Sequence, residues 1–276
     1  MNRLKINFHL LEACNYHCRF CFAKYEEHQR IDFADQKAII KNIADSSMFD
    51  AINFAGGEPT LVRHLPELMK YACSLGLKVS VITNGYLLTN EKLDEMLPFM
   101  SMLGISVHSF DDATKREIGS CTIDGQILTN ERLQEICEYI HASNESGKSD
   151  CRIKINSVIC KSNCNENLVA GIRHLKYIRR WKGLRCQIFE CNQDMLVTDS
   201  EFQGFVRRNQ TSELNQVFEN DMKDTYIMIN PYGELLKDGA DGKSYEVVGS
   251  ALREPMGQLM DRFNLKQDIY ELRYAG

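Results

Sequence analysis

Alternating apolar and polar positions mark the strands of this chain, and apolar positions three to four residues apart mark its helices. Apolar side chains stand at every second position from Leu4 to Leu10, which is typical of a strand with one buried face. The two patterns then alternate and predict strands over 3–10, 51–55, 78–83, 103–109, 152–159 and 184–190, and helices over 35–48, 65–75, 90–96, 111–118, 130–142 and 165–181. Strands that alternate with helices form βαβ units, so the sequence predicts an α/β fold with a parallel sheet.

The polar residues of these strands indicate what lies on the face of the sheet away from the helices. Side chains along a strand point alternately to its two faces, so polar residues between apolar ones are expected to face inward together. The expected inward residues are Asn7, His9, Asn53, Ala55, Ser106, His108, Lys154, Asn156, Arg185 and Gln187. A single asparagine commonly finds an ordinary hydrogen-bond partner, but an unpaired buried lysine is costly. Lys154 therefore predicts an anion, which is either a carboxylate of the protein or a phosphate.

Composition narrows the class of protein. The chain has 276 residues, of which 43% are hydrophobic and 26% charged, and these values are ordinary for a globular protein with a buried core. The formal net charge of −5 argues against a general nucleic-acid binder, because that role usually requires an excess of basic residues. Neither a signal peptide nor an apolar run of membrane-spanning length is recognisable. With eleven cysteines, the sequence predicts a cytoplasmic protein with reduced thiols and no membrane or nucleic-acid partner.

Three cysteines stand close together directly after the first strand. Cys14, Cys18 and Cys21 are separated by three and then by two residues. A structural zinc site requires four protein ligands, so three thiols favour an iron–sulfur cluster that leaves one iron without a protein ligand. The alternative is three unrelated thiols in a cysteine-rich chain. The loop lies at the carboxyl end of a strand, where barrel-like parallel sheets have their functional groups, so an iron–sulfur cluster here predicts an active site.

The cysteine spacing resembles the CxxxCxxC motif of the radical S-adenosylmethionine (SAM) enzymes, and Gly56-Gly57-Glu58-Pro59 resembles their second motif. The resemblance implies a partial (β/α)6 TIM-like barrel with a C-terminal extension that closes the active site. It implies a [4Fe-4S] cluster held by the three cysteines, with SAM on the remaining iron as the source of a 5′-deoxyadenosyl radical. It also implies that two glycines let the backbone approach SAM closely. The implied SAM-binding residues are Phe20, Gly56, Gly57, Glu58, Thr83, Asn84, Ser106 and Ile159.

Further segments resemble a narrower group, the viperin family of antiviral nucleotide dehydratases. They are Asn7 ahead of the first cysteine and residues 14–16, 52–59, 154–159, 185–191 and 222–227, in the same order as in the family. The family removes water from a ribonucleoside triphosphate, which is CTP or, in prokaryotic members, also UTP or GTP. The radical takes the C4′ hydrogen, the 3′-hydroxyl leaves, and a further electron and proton give a chain-terminating 3′-deoxy-3′,4′-didehydro nucleotide. An electron donor such as flavodoxin or ferredoxin is implied as well.

The viperin resemblance also implies roles for individual residues. Tyr226 is expected near the ribose, as a proton or hydrogen-atom relay. The residues expected to bind the triphosphate or the ribose are Asn7, Asn53, Lys154, Asn156, Arg185, Lys243 and Arg273. Residues 1–190 are expected to form the barrel, and residues 191–276 an extension that packs on it and completes the nucleotide site.

Three positions depart from the animal pattern of the family. Ala51 and Gln187 stand where lysines would help to bind phosphate, and Ser120 stands where an arginine is usual. Charge-assisted contacts are among the strongest polar ones, so these losses matter. They leave the base of the nucleotide and the binding of its triphosphate open.

The arginine of the last predicted strand has two candidates. Arg180-Trp181-Lys182 resembles a family motif, but the helix predicted over 165–181 places it at a helix end with Gly183 as the cap. Arg185 is therefore preferred as the strand arginine.

The remaining cysteines leave a second function open. Cys160 and Cys164 form a CxxxC pair, and Cys186 and Cys191 lie five residues apart. They favour core thiols, but an auxiliary cluster, as in peptide-modifying radical SAM maturases, is an alternative. A third alternative is a non-catalytic iron–sulfur scaffold protein. About four irons per chain would indicate the dehydratase and about eight the maturase, whereas reductive cleavage of SAM would exclude the scaffold.

Overall fold

Strands and helices alternate through the N-terminal part of the chain, in a computed structural model that describes residues 4–23, 25, 29–187, 190–239 and 244–274. Each of the first six strands pairs in parallel with the next. The predicted α/β fold, a partial barrel of parallel strands, is confirmed. The strands are β1 (Leu4–His9), β2 (Phe49–Ala55), β3 (Lys78–Thr83), β4 (Met102–Ser106), β5 (Arg152–Ile159) and β6 (Ile178–Arg185). The helices are α1 (Phe33–Asp45), α2 (Leu65–Ser74), α3 (Asn90–Met96), α4 (Asp112–Glu117), α5 (Asn130–Glu145) and α6 (Leu168–His174).

The residues after β6 extend this sheet at both of its edges. β7 pairs in parallel with β6, β8 pairs in parallel with β1, and β9 and β10 follow β8 in antiparallel order. The strand order is β10-β9-β8-β1-β2-β3-β4-β5-β6-β7. Among the described residues, no helix is long and apolar enough to cross a bilayer. The added elements are α7 (Asp199–Asn209), β7 (Asn215–Glu219), β8 (Met228–Ile229), β9 (Glu234–Asp238), β10 (Tyr245–Ser250), α8 (Met256–Asp261) and α9 (Gln267–Tyr274).

The core lies between the sheet and the helices that cover its outer face. Ile6 and Phe8 of β1 are fully buried there, together with Ile39 of α1. Asp32 starts α1 with a capping box, in which its carboxylate accepts a hydrogen bond from the Asp35 N–H at 2.9 Å. Because the apolar residues of each strand take the outer face, the residues between them face the inside of the barrel.

The last β/α unit differs from the prediction. The helix predicted over 165–181 ends already at His174, and the strand predicted over 184–190 is β6, which begins at Ile178 and ends at Arg185. Arg180-Trp181-Lys182 therefore lies inside a strand. Gly183 is a strand residue as well, so its prediction as a helix cap was wrong.

A long-range contact explains the position of β6. The Trp181 ring is fully buried and lies edge-on to Phe205 of α7 and Phe218 of β7, with ring centroids 6.1 and 5.2 Å away. A Cβ atom on Gly183 would lie only 2.6 Å from the Phe218 ring, so this position requires glycine. The partners of Trp181 come from the C-terminal part of the chain, which local periodicity cannot show.

Candidate active site

A cavity opens at the carboxyl ends of β1 to β6 and continues down the inside of the sheet. It contains about 1270 Å³ of space free of protein atoms, a volume that includes the solvent at its open mouth. The predicted inward positions that line it are Asn7, His9, Asn53, Ala55, Ser106, His108, Lys154 and Asn156. Lys5 and Lys182 line it too, and the sequence analysis missed both. The cavity therefore joins the cysteine loop to the polar inside of the barrel.

Strand register divides the cavity into three levels, which we call the mouth, the middle and the floor. Residues two apart along a strand lie about 6.6 Å apart, so the floor is about 13 Å below the mouth. The mouth holds His9 opposite Ala55 and Val158 opposite Leu184; the middle holds Asn7 opposite Asn53 and Asn156 opposite Lys182; the floor holds Lys5 opposite Ala51 and Lys154 opposite Arg180. Thiols lie above the mouth, amides in the middle, and cations on the floor.

The cysteine loop is pinned to the turn that follows α4. His17 N donates to Gly119 O at 3.2 Å, and Arg19 N donates to Ile118 O at 3.0 Å. Within the loop, Cys21 N donates to Cys18 O at 3.1 Å. The side chains of Cys14, Cys18 and Cys21 all line the same cavity. The loop thus presents three thiols to the mouth from a fixed backbone.

The three thiols fit a cluster better than a single metal ion. In the part of the chain that the structure describes, no three His, Cys, Asp or Glu side chains are arranged around one ion. Thiols that each bind a different iron of a cluster need not meet around one ion. Burial raises the pKa of Cys14 to about 11 and that of Cys18 further, so neither thiol ionises at neutral pH without a bound cation. The donor set therefore fits a [4Fe-4S] cluster with one iron left for SAM.

The glycine pair of the second motif serves the cysteine loop. A Cβ atom on Gly57 would lie 2.2 Å from the carbonyl oxygens of Glu12 and Ala13, and one on Gly56 would lie 2.7 Å from Leu11 O. Gly57 N donates to Leu11 O at 2.7 Å in this close contact. We expected the glycines to admit a ligand, but the neighbour that requires them is the backbone of the loop itself.

Glu58 ties the second motif to the end of β3. Its carboxylate accepts hydrogen bonds from Thr60 N (3.0 Å), Thr60 Oγ1 (2.6 Å), Thr83 Oγ1 (2.6 Å) and Asn84 N (2.8 Å). Asn84 Nδ2 in turn donates to Asn15 Oδ1 at 2.8 Å and to Cys14 Sγ at 3.9 Å. Glu58 is only 1% exposed. These predicted SAM contacts thus lie together at the mouth, where they also hold the cysteine loop to the sheet.

The other three predicted SAM contacts have different positions. The Phe20 ring lies edge-on to His108, with centroids 4.7 Å apart, and lines the cavity. Ser106 lines it as well, opposite Asn156. Ile159 belongs to the fully buried core, so the structure does not bring it to the cavity wall.

The amides of the middle level differ in what they already bind. Asn7 Nδ2 donates to Ile227 O, Asn53 Nδ2 donates to Asn7 Oδ1 and Ser80 Oγ donates to Asn53 Oδ1, at 3.0, 3.0 and 2.9 Å. In this chain of hydrogen bonds, Asn7 and Asn53 each donate one hydrogen bond and accept one. Asn156 Nδ2, in contrast, is buried and has no hydrogen-bond partner among the described residues. Buried donors are almost always paired, so Asn156 is the amide that calls for a ligand.

Arg185 does not reach the cavity. Its guanidinium donates to Asp199 Oδ1 at 2.5 Å and to Val197 O at 2.6 Å, on the side of the sheet edge that faces α7. The strand therefore turns Arg185 away, and Lys182 is the residue of β6 that lines the cavity. Lys182 forms an ion pair with Glu219 at 2.7 Å. The expectation of an inward Arg185 was wrong because Trp181 takes the outer face, so Lys182 and Leu184 line the cavity and Arg185 has the outward parity.

The other predicted positions near the substrate have mixed outcomes. Gln187 donates to Arg185 O and Asn220 O, at 2.6 and 3.0 Å, and also lies outside this cavity. Ser120 lies in the cavity wall. Lys243 lies outside the described residues, and Arg273 belongs to α9, where the structure describes its backbone only.

Tyr226 lies at the mouth in contact with His9. The Tyr226 hydroxyl lies 3.2 Å from His9 Nε2, and the Tyr25 hydroxyl is hydrogen-bonded to His9 Nδ1 on the other side of the ring. Burial lowers the pKa of His9 to about 3, so the imidazole is neutral at physiological pH. A neutral imidazole has one donor and one acceptor nitrogen, so it can connect the two phenols. The sequence analysis missed Tyr25, because its contact with His9 depends on the path of the loop.

Cys160, Cys164 and Cys186, the described thiols of the possible auxiliary cluster, are buried core residues. Cys160 and Cys186 pack with Phe20 and Ile118 in a small apolar cluster under the cysteine loop. Burial raises the pKa of Cys160 to about 11. The side chain of Cys191 is outside the described residues. Core thiols account for the described cysteines of this group.

Solved structures share this fold. SuiB of Streptococcus suis, solved with S-adenosylmethionine bound, matches with a TM-score of 0.68 at 17% identity, over 99% of this chain and 68% of that one. The protein anSMEcpe, solved with AdoMet bound, matches with a TM-score of 0.64 at 14% identity, over 99% of this chain and 84% of that one. At such identities the likeness concerns the fold alone.

Sequence comparisons give the family. The profile of the Radical SAM superfamily matches residues 9–159. The S-adenosylmethionine-dependent nucleotide dehydratase of Selenomonas ruminantium is 38% identical, over 99% of both chains. The protein of the same name from Flammeovirga pacifica is 30% identical, over 96% of this chain and 95% of its own. This chain therefore belongs to the radical SAM superfamily and, within it, to the family of the S-adenosylmethionine-dependent nucleotide dehydratases.

Proposed function

We propose that this protein removes water from a ribonucleoside triphosphate, CTP or alternatively UTP or GTP, and forms the 3′-deoxy-3′,4′-didehydro nucleotide. The observation that carries the proposal is the order of groups along one cavity. Three thiols lie above the mouth, an unpaired amide donor of Asn156 lies in the middle, and cations lie on the floor. A ribose under the cluster with its phosphates pointing down matches that order.

The chain would hold the cofactors with the elements around the mouth. Cys14, Cys18 and Cys21 would bind three irons of the cluster, and the Gly56–Glu58 turn with Thr83 and Asn84 would hold SAM beside the fourth. When bound, the cluster and SAM supply the 5′-deoxyadenosyl radical that takes the C4′ hydrogen. Phe20 and the His108 ring beneath it exclude water from one side of the mouth.

The middle and the floor would hold the nucleotide. Asn156 would donate an N–H to the ribose or the α-phosphate, because this donor is buried without a described partner and its residue lines the cavity. Lys154 on the floor and Lys182 in the middle would bind phosphate oxygens from neighbouring strands. The segment 191–276 would complete the site, since Met222 and Tyr226 already belong to the cavity lining.

Tyr226 would deliver the proton that the leaving 3′-hydroxyl needs to depart as water. If His9 carries its proton on Nε2, it donates to the Tyr226 oxygen, and the Tyr226 proton is directed into the cavity. The Tyr25 hydroxyl then donates to His9 Nδ1. His9 thus positions Tyr226 and passes on a replacement proton without becoming charged. The step consumes one proton and one electron, and the electron comes from an external donor.

A substrate panel tests the proposal. We expect one of CTP, UTP or GTP to raise 5′-deoxyadenosine formation by the reduced, anaerobic holoenzyme well above the level without nucleotide. The same reaction should yield a nucleotide lighter by one water. If none of the four ribonucleoside triphosphates does either, the proposed function is wrong.

The setting of the reaction is part of the proposal. Free thiols and a cluster that must be reduced suit a cytoplasmic protein served by a flavodoxin or a ferredoxin. The peptide maturase remains the second candidate, and iron quantitation separates the two. We expect about four irons per chain, whereas about eight would favour an auxiliary cluster.

A further inference from the structure

Lys5 lies on the floor of the cavity among other cations. It is on β1, two residues below Asn7, and its side chain is partly buried in the cavity wall. Arg180 of β6 and Arg152 of β5 both act on its charge, and each has a larger effect than Asp50, the carboxylate on β2 that acts in the opposite sense. Asp50 itself is 3.5 Å from the Lys78 ammonium. The floor around Lys5 is therefore a positive region.

The backbone of Lys5 is fixed by the C-terminal helix. Lys5 N donates to the Tyr270 hydroxyl at 2.5 Å, and this hydroxyl donates back to Lys5 O at 3.2 Å. Tyr270 belongs to α9 and is only 4% exposed. These two hydrogen bonds from α9 hold the backbone of Lys5 near the start of β1, so the side chain extends from a fixed position.

An ammonium group in this position needs an anion. A buried cation is costly unless it is paired, and here two arginines add to that cost. Removal from water, followed by the two arginines, lowers the pKa of Lys5 to about 8. Among the residues described, no carboxylate forms an ion pair with Lys5. The cavity itself is the remaining place from which a negative charge can come.

We propose that Lys5 binds the terminal phosphate of the nucleotide at the floor of the cavity. Lys5 is in register with Ala51 of β2, on the same face of neighbouring strands about 4.8 Å apart. By the viperin resemblance, position 51 is one where a lysine would help to bind phosphate, and here the proposed cation comes from the neighbouring strand instead. The inference rests on the proposed function, because it names the residue that binds the terminal phosphate of the proposed triphosphate substrate.

The proposal is tested by moving the lysine from position 5 of β1 to the paired position 51 of β2. The variants are Lys5→Met, the double variant Lys5→Ala with Ala51→Lys, and Lys41→Met as a control that removes an exposed lysine of α1. Dissociation constants are measured on the anaerobic holoenzyme with SAM, for the nucleoside triphosphate, the matching monophosphate and inorganic tripolyphosphate. We expect Lys5→Met to weaken triphosphate and tripolyphosphate binding about tenfold to a hundredfold, as for loss of a charge-assisted contact.

The control ligand and the double variant decide the result. Monophosphate binding by Lys5→Met should stay within about twofold of wild type, and the double variant should recover most of the triphosphate affinity. Unchanged triphosphate affinity, or an equal loss for monophosphate, would overturn the assignment, and the double variant decides if Lys5→Met does not fold. If tripolyphosphate binding depends on Lys5 but no nucleotide is dehydrated, the proposed function is refuted and this inference is supported. No binding of either phosphate ligand by wild type would sink both.

The pH dependence gives a second readout. Lys5 must be protonated to bind phosphate, so wild-type affinity should be full below about pH 8 and fall as the pH rises above it. The terminal phosphate is already ionised there, since its second pKa is about 6, and Arg152 and Arg180 stay charged. Lys154 and Asp50 face the same region in both proteins, so Lys5→Met supplies the baseline. An identical pH profile for the two proteins would contradict the proposal.

Discussion

Gly57→Ala tests whether position 57 requires glycine because the backbone of the cysteine loop lies against it. The added Cβ atom would lie 2.2 Å from both Glu12 O and Ala13 O, against an ordinary contact of about 3.5 Å. Both neighbours are backbone atoms, so no side chain can rotate out of the way. The loop must therefore move by about 1 Å.

The expected cost has two parts. Overpacking of this kind typically costs about 1–3 kcal/mol. Displacement of the loop also weakens the hydrogen bonds from Gly57 N to Leu11 O and from Glu58 N to Ala13 O, at 2.7 and 2.9 Å. Each such bond contributes about 0.5–1.5 kcal/mol, so the loss of stability is about 2–6 kcal/mol. The loop that carries the thiols takes most of the displacement.

Iron content distinguishes the two explanations for the glycine, which are packing against the cysteine loop and close approach of SAM. After anaerobic reconstitution without SAM, we expect Gly57→Ala to hold well under half of the iron of the wild type. Urea unfolding of the iron-free protein gives the stability change. Gly204→Ala is the matched control, because its Cβ in α7 meets nothing within 4 Å and a helical alanine stabilises by about 0.5–1 kcal/mol. Full iron content with a loss confined to SAM affinity would refute the reasoning.

Three further substitutions test the cavity. Asn156→Ala removes a buried donor without a described partner, so we expect unchanged or slightly higher stability in urea but a roughly fivefold to thirtyfold weaker nucleotide affinity; a clear loss of stability would contradict this. Tyr226→Phe should still form 5′-deoxyadenosine with nucleotide present, while the dehydrated product falls about a hundredfold in the same chromatogram; an unchanged ratio would remove Tyr226 from proton delivery. Arg185→Ala should leave the triphosphate dissociation constant within about twofold, because its guanidinium binds Asp199 and Val197; a tenfold loss would return it to the site.

Local patterns were enough for most of the barrel. The alternation in β1, β2, β4 and β5 placed their polar residues inside the cavity, because these strands are buried on one face and their register follows from the pleat. Lys5 has the same parity as Asn7 and His9, so the pattern contained it as well. The pattern does not show how deep in the cavity each residue lies, because that depends on how neighbouring strands are paired.

The misplaced strand shows where local patterns stop. β6 is fixed by Trp181, whose ring packs against Phe205 and Phe218 from beyond residue 200. No periodicity within residues 165–190 contains that contact. Because Trp181 faces outward, Lys182 lies in the cavity wall and Arg185 does not. Similarly, His9 contacts Tyr25, 16 residues further along the chain, and Tyr226, 217 residues further along, so these contacts could be found only in three dimensions.

The transfer of one hydrogen atom tests the central claim most directly. The proposed function places a ribose between the thiols at the mouth and the cations on the floor, so the hydrogen at C4′ should be the one that is taken. With the accepted triphosphate deuterated at C4′, we predict that 5′-deoxyadenosine gains one deuterium while the dehydrated nucleotide contains none. Unlabelled 5′-deoxyadenosine formed alongside the nucleotide product would contradict this placement of the substrate.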